Sequence, residues 1–90
     1  MEKKDISHLR DKIQKLDIEL FSLIFKRVDL VKKIGKIKSQ NNIKITHPAR
    51  EEVLIRIMNN LPSNCLDISQ IKSIYKILFK ISKKEQKDII

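Results

Sequence analysis

From Ile6 onward the apolar residues advance in alternating steps of three and four: Ile6, Leu9, Ile13, Leu16, Leu20, Leu23, then Arg27, then Leu30, Ile34 and Ile37. That is a heptad seam kept for more than four heptads, the mark of a long helix lying against another helix along its length. Asp5 and Ser7 are placed to cap its start, the polar run from Ser39 to Asn42 ends it, and Gly35 is the one weak helix former inside. The expected helix covers roughly residues 6–39 and is about 50 Å long at about 1.5 Å per residue. A compact chain of 90 residues has a radius of gyration of only about 12 Å. Two shorter helices of the same chain cannot cover such a stripe, so the seam predicts a second copy alongside it, antiparallel and intertwined.

The rest of the composition agrees with an all-α chain. One Gly, two Pro and no Trp, with 41% hydrophobic and 34% charged residues, are too regular for a loop-rich fold. A chain this short buries about 60% of its unfolded surface. Its single cysteine, Cys65, supplies neither a disulfide framework nor a thiolate metal cluster to compensate. The opening Met1–Asp5 is followed by no apolar run, and the longest mostly apolar stretch, Leu20 to Phe25, is far short of the roughly 20 residues that span a bilayer. A cytoplasmic protein without a membrane partner is expected.

Two further helices follow. Asn41 to Thr46 is a connector, and Pro48-Ala-Arg50-Glu51-Glu52 reads as a helix start, with Pro in the first turn and acids at the positive end of the dipole. Val53, Leu54, Ile57 and Leu61 supply its apolar side, and the segment from Asn59 to Asn64 breaks it. Asp67 or Ser69 can cap a third helix whose stripe runs Ile71, Ile74, Tyr75, Leu78, Ser82, Glu85 or Gln86, and Ile89. The reading is one domain over residues 1–90, with one long, one short and one medium helix.

The surplus of 20 Lys plus Arg over 11 Asp plus Glu, a net +9, favours anionic partners. Sixteen of the cations are Lys, so the four Arg (Arg10, Arg27, Arg50, Arg56) mark places where a planar fork for carboxylate or phosphate is useful. Arg27 interrupts the seam between Leu23 and Leu30, and an unpaired buried charge costs several kcal/mol, so something anionic should meet it. A carboxylate of a neighbouring helix, such as Asp17 or Glu19, is the plain alternative to a ligand. Lys38 lies eleven residues on, three turns with a small angular offset. Arg10 and Lys38 flank the seam on a second stripe with Asp17, Phe21, Ile24, Val28, Val31 and Gly35 between them. Arg10 is too far along the rod to join Lys38 in one small pocket, whereas an antiparallel copy would bring its own Arg10 across. Ser82 and Gln86 place neutral hydrogen-bonding groups one turn apart on the inner stripe of the third helix. With Arg27, Lys38, Arg50 and Glu51 they suggest a polar cavity inside a helical bundle.

These residues resemble the all-helical, AroQ-type chorismate mutases. The matching text is Leu9-Arg10-Asp-Lys-Ile13-Gln-Lys-Leu16-Asp17, Leu23-Ile-Phe-Lys-Arg27, Ile34-Gly35-Lys-Ile-Lys38, Pro48-Ala-Arg50-Glu51, and Ser82 with Gln86, over roughly residues 6–87. The resemblance implies an intertwined homodimer of three-helix protomers with two shared sites, converting chorismate to prephenate by an intramolecular Claisen rearrangement. It implies Arg27 and the partner subunit's Arg10 on the two substrate carboxylates, with Ser82 assisting. Lys38 and Gln86 would donate to the ether oxygen of the breaking bond, Glu51 would take the ring hydroxyl, and Arg50 would shape that corner. Where the family usually has an acid, three residues before Arg50, this chain has His47, which puts the hydroxyl-side contact in question and predicts lowered activity.

No Ser/His/Asp arrangement, Gly-rich phosphate loop or His/Cys ligand spacing stands in the sequence, so no cofactor and no metal are implied. Two other functions compete. One is pyruvate elimination from isochorismate on the same scaffold. The other is a basic, helical nucleic-acid-binding dimer, for which the clusters Lys32-Lys33-Lys36 and Lys80-Lys83-Lys84-Lys87 speak. Phe21, Phe25, Tyr75 and Phe79 lie mostly on apolar stripes and leave few stacking platforms for bases. The expectation is therefore a small dicarboxylate substrate and no nucleic acid.

Overall fold

Three helices follow one another in the computed structural model, which describes residues 2–61 and 65–87. They are α1 (Glu2–Gln40), α2 (Pro48–Asn59) and α3 (Ile68–Lys87), with no strand among the described residues. None of the described helices is long and apolar enough to cross a membrane. The chain divides into two compact units, Met1–Leu30 and Val31–Ile90. The first is the N-terminal part of α1, and the second holds the last turns of α1 with α2 and α3.

Each helix end has a local cause. α1 starts at Glu2, so Asp5 and Ser7 lie inside the helix rather than capping it. An acid near the positive end of the dipole is stabilising there without being a cap. At the other end Asn42 takes a left-handed φ of 55°, and Ile43 N–H donates to Lys38 C=O at 2.8 Å. That is the Schellman closure, with Asn, one of the few non-Gly residues that tolerates this conformation, at its turning point. α3 opens on a reciprocal box: Gln70 N–H donates to Asp67 Oδ1 at 2.9 Å and Asp67 N–H donates to Gln70 Oε1 at 3.0 Å. Such a cap stabilises by about 1 kcal/mol, and it settles the cap on Asp67 while Ser69 falls inside the helix. Ile89 and the break at residues 62–64 lie outside the described residues.

In the unit Val31–Ile90 the covered face of α1 is not the heptad seam. Val31 and Gly35, one turn apart, are buried, and Lys38 continues their line half-buried, while Ile34 and Ile37 beside them stay exposed. An ion pair from Lys32 Nζ to Glu85 Oε2 of α3, 3.8 Å, ties this segment to α3. α3 contributes Ile71, Tyr75, Ser82 and Gln86 to the interior. α2 packs on α3 and buries no residue fully; Glu51, Leu54 and Ile55 are half-covered. The expected apolar side of α2 is thus corrected in part: Leu54 is half-covered as expected, whereas Val53 and Ile57, each two positions from Ile55 and about 200° round the helix, are exposed. Between α2 and α3, Met58, Leu61, Leu66, Ile71, Ile74 and Leu78 line an apolar groove of about 400 Å³.

The seam itself is open along its whole length. Its nine apolar residues, from Ile6 to Ile37, are between 47% and 61% exposed.

Candidate active site

The inner stripe of α3 changes chemistry part-way along. Ile71 and Tyr75 are buried and Leu78 half-buried; one turn further the same face carries Ser82 and Gln86, 9% and 6% exposed. Ser82 Oγ donates to Leu78 C=O at 2.8 Å, and Gln86 Nε2 donates to Ser82 C=O at 3.2 Å. The carbonyl of Ser82 fixes the amide orientation, because the flipped amide would set two acceptors against each other. Among the described residues Gln86 Oε1 is buried without a hydrogen-bond partner. An unsatisfied buried acceptor of this kind costs about 1–3 kcal/mol. A polar face retained at that cost calls for a partner.

Charged groups stand at the end of α1 and the start of α2. Lys38, in the last turn of α1, is half-buried, and its Nζ donates to Ile45 C=O of the connector at 2.8 Å. One of the three ammonium protons therefore anchors the chain as it runs into α2. Two residues on, His47 caps α2: its Nδ1 accepts from Arg50 N–H at 3.0 Å, and Pro48 fills the first helical position. The cap sets the direction in which the first turn presents Arg50 and Glu51. Arg50 is exposed. Glu51 reaches α3, where its Oε2 lies 3.4 Å from Lys83 Nζ, next to Ser82.

Of the eight residues singled out from the sequence, six lie in the unit Val31–Ile90: Lys38, His47, Arg50, Glu51, Ser82 and Gln86. Lys38 bonds the connector, His47 caps α2 at Arg50, Glu51 pairs with Lys83 of α3, and Ser82 and Gln86 bond the backbone of α3. Arg10 and Arg27 belong to the unit Met1–Leu30; Arg10 is exposed and Arg27 half-buried. His47 is more than an exposed loop residue, because its ring nitrogen caps α2. Sequence reasoning missed Lys83 as a neighbour of Glu51 and placed it in the basic cluster Lys80-Lys83-Lys84-Lys87. Its one signal was adjacency to Ser82, and the partner on α2 is a tertiary contact that no spacing reports. Among the described residues no three of His, Cys, Asp and Glu are grouped as metal ligands.

The described residues form three helices with no strand, and α3 carries a buried polar stripe of Ser82 and Gln86. The family profile described as chorismate mutase type II matches residues 9–87, and the chain belongs to that family. The T-protein of Haemophilus influenzae is 39% identical over 51 residues, 57% of this chain and 14% of that protein. A bifunctional chorismate mutase/prephenate dehydratase of Aquifex aeolicus is 38% identical over 56 residues, 61% of this chain and 16% of its own length. A protein of the same description from Buchnera aphidicola is 29% identical over 89 residues, 98% of this chain and 23% of its own. The chain thus spans less than a quarter of the length of the curated relatives it matches.

Proposed function

We propose that this chain is a chorismate mutase, an isomerase of aromatic amino-acid biosynthesis that converts chorismate to prephenate in the cytoplasm. The observation that carries the reading is the buried polar Ser82–Gln86 end of α3 in a chain of the chorismate mutase type II family. A pericyclic rearrangement needs no nucleophile. It needs the substrate held in its compact reactive conformer and donors aimed at the ether oxygen, where negative charge develops as the C–O bond breaks. Lys38 has two ammonium protons beyond the one given to Ile45, and the Gln86 amide has one beyond that given to Ser82. These are the donors assigned to the ether oxygen. Glu51 accepts from the ring hydroxyl, with Arg50 and the His47 cap shaping that corner, and Ser82 assists at a carboxylate.

Arg27 and the partner subunit's Arg10 are assigned to the two substrate carboxylates in an intertwined homodimer. Support for the second copy comes from the open seam. Fully burying a Leu or Ile is worth about 1.5–3 kcal/mol, and nine such side chains stand about half exposed on one stripe. Their number and heptad order fit a helix of a second copy.

The test is loss of chorismate absorbance on adding purified protein, with the product identified. Prephenate is expected; pyruvate released from isochorismate with no prephenate from chorismate would replace this reading with the lyase. Shared sites are tested by mixing an Arg10→Ala protein with an Arg27→Ala protein, each nearly inactive. Random exchange puts one intact site in each heterodimer, so about a quarter of wild-type activity should return. No recovery despite demonstrated exchange would remove the shared-site geometry.

A further inference from the structure

The ion pair between α2 and α3 assigns a role to a residue outside the family's set. Of the cluster Lys80, Lys83, Lys84 and Lys87, Lys83 is half-buried and the others are exposed. Its ammonium lies 3.4 Å from Glu51 Oε2, and the two side chains are 38% and 26% exposed. Both line a groove of about 510 Å³ between α2 and α3, whose apolar walls include Ile55 and Phe79. Lys83 directly follows Ser82, so the turn of α3 that carries the buried polar stripe also sets the position of this ammonium. We propose that Lys83 is the positioning residue for Glu51, holding one carboxylate oxygen so that the other is presented to the substrate's ring hydroxyl. The proposal rests on the chorismate mutase reading. A glutamate has three side-chain torsions, and without a partner it loses their freedom only on binding substrate; Lys83 restricts them beforehand. The ring hydroxyl keeps its O–H bond through the rearrangement, so Glu51 grips ground state and transition state about equally. Loss of such uniform binding raises KM and leaves kcat nearly unchanged.

The experiment compares Lys83→Met, Lys83→Arg and the exposed neighbour Lys84→Met in the full chain, with chorismate as substrate. Lys83→Met should raise KM about fivefold, the upper range for an exposed ion pair, with kcat within about twofold of wild type. Lys83→Arg should restore KM, and Lys84→Met, which removes the same charge one position on, should leave it alone. In a Glu51→Gln background Lys83→Met should raise KM no further. An unchanged KM in Lys83→Met, an equal rise in Lys84→Met, or the same fivefold effect without Glu51 overturns the proposal. Failure of the underlying reading looks different: the wild-type chain itself would then form no prephenate, and the assignment of Lys83 would fall with it.

Discussion

The two ends of the covered face of α3 are equally buried and chemically opposite. Ile71 and Tyr75 are 7% and 8% exposed; Ser82 and Gln86 are 9% and 6% exposed. The first end is joined by Leu78, lines an apolar groove with α2 and stacks Tyr75 on Phe79, with ring centroids 4.9 Å apart. The second spends its polar groups on its own backbone and leaves one acceptor unsatisfied. The apolar end packs the helix, and the polar end is the part that the proposed function assigns to the substrate.

If that division holds, substitutions at the two ends should affect different measurements. The largest effect is expected at the donor assigned to the ether oxygen: Lys38→Ala should lower kcat by about 10²–10³, the usual consequence of removing one donor to a developing oxyanion. Its stability should fall by only about 1 kcal/mol, for the lost bond to Ile45. A kcat within threefold of wild type would deny Lys38 its electrostatic role and leave it an anchor of the connector. Tyr75→Ala, at the apolar end, should reverse the pattern. Truncating a buried aromatic costs about 3–5 kcal/mol, read by urea or thermal unfolding, while turnover per folded molecule changes little. Gln86→Leu should sharpen the contrast. Replacing the amide by an apolar group removes the unsatisfied oxygen, so stability should hold or rise by about 1 kcal/mol as prephenate formation falls. A destabilised Gln86→Leu with full activity would mean that the polar end is structural after all.

The helices were more legible in the sequence than their packing. Three helices, their order and the start of α2 at Pro48 follow from periodicity and capping chemistry, which act over a few residues. Which stripe of α1 the chain uses for its own core does not. The heptad seam is the stronger pattern, yet Val31 and Gly35 on the flanking stripe are buried and Leu30, Ile34 and Ile37 are not. Periodicity reports that a face is apolar and is silent on what covers it. α2 erred for the same reason, because twelve residues with apolar groups on two sides do not say which side meets α3. Ser82 and Gln86 were recognisable because polar residues interrupted an otherwise apolar stripe. Lys83 was hidden because a cation on a basic helix looks like solvated surface until Glu51 is placed opposite it.

The smallest effect concerns His47, where the family's usual acid is replaced. His47 Nδ1 accepts from Arg50 N–H at 3.0 Å, so the position still supplies what the start of α2 requires: an acceptor for one of the amide protons without a partner in the helix. A carboxylate is the better group there, because its charge also meets the positive end of the helix dipole. His47→Asp should therefore raise stability by about 0.5–1 kcal/mol. Turnover should rise or stay level, since the carboxylate also faces the corner assigned to the ring hydroxyl. A loss of stability would show that the imidazole makes contacts beyond the cap. A large loss of turnover at unchanged stability would give His47 a part in substrate binding that an acid cannot fill.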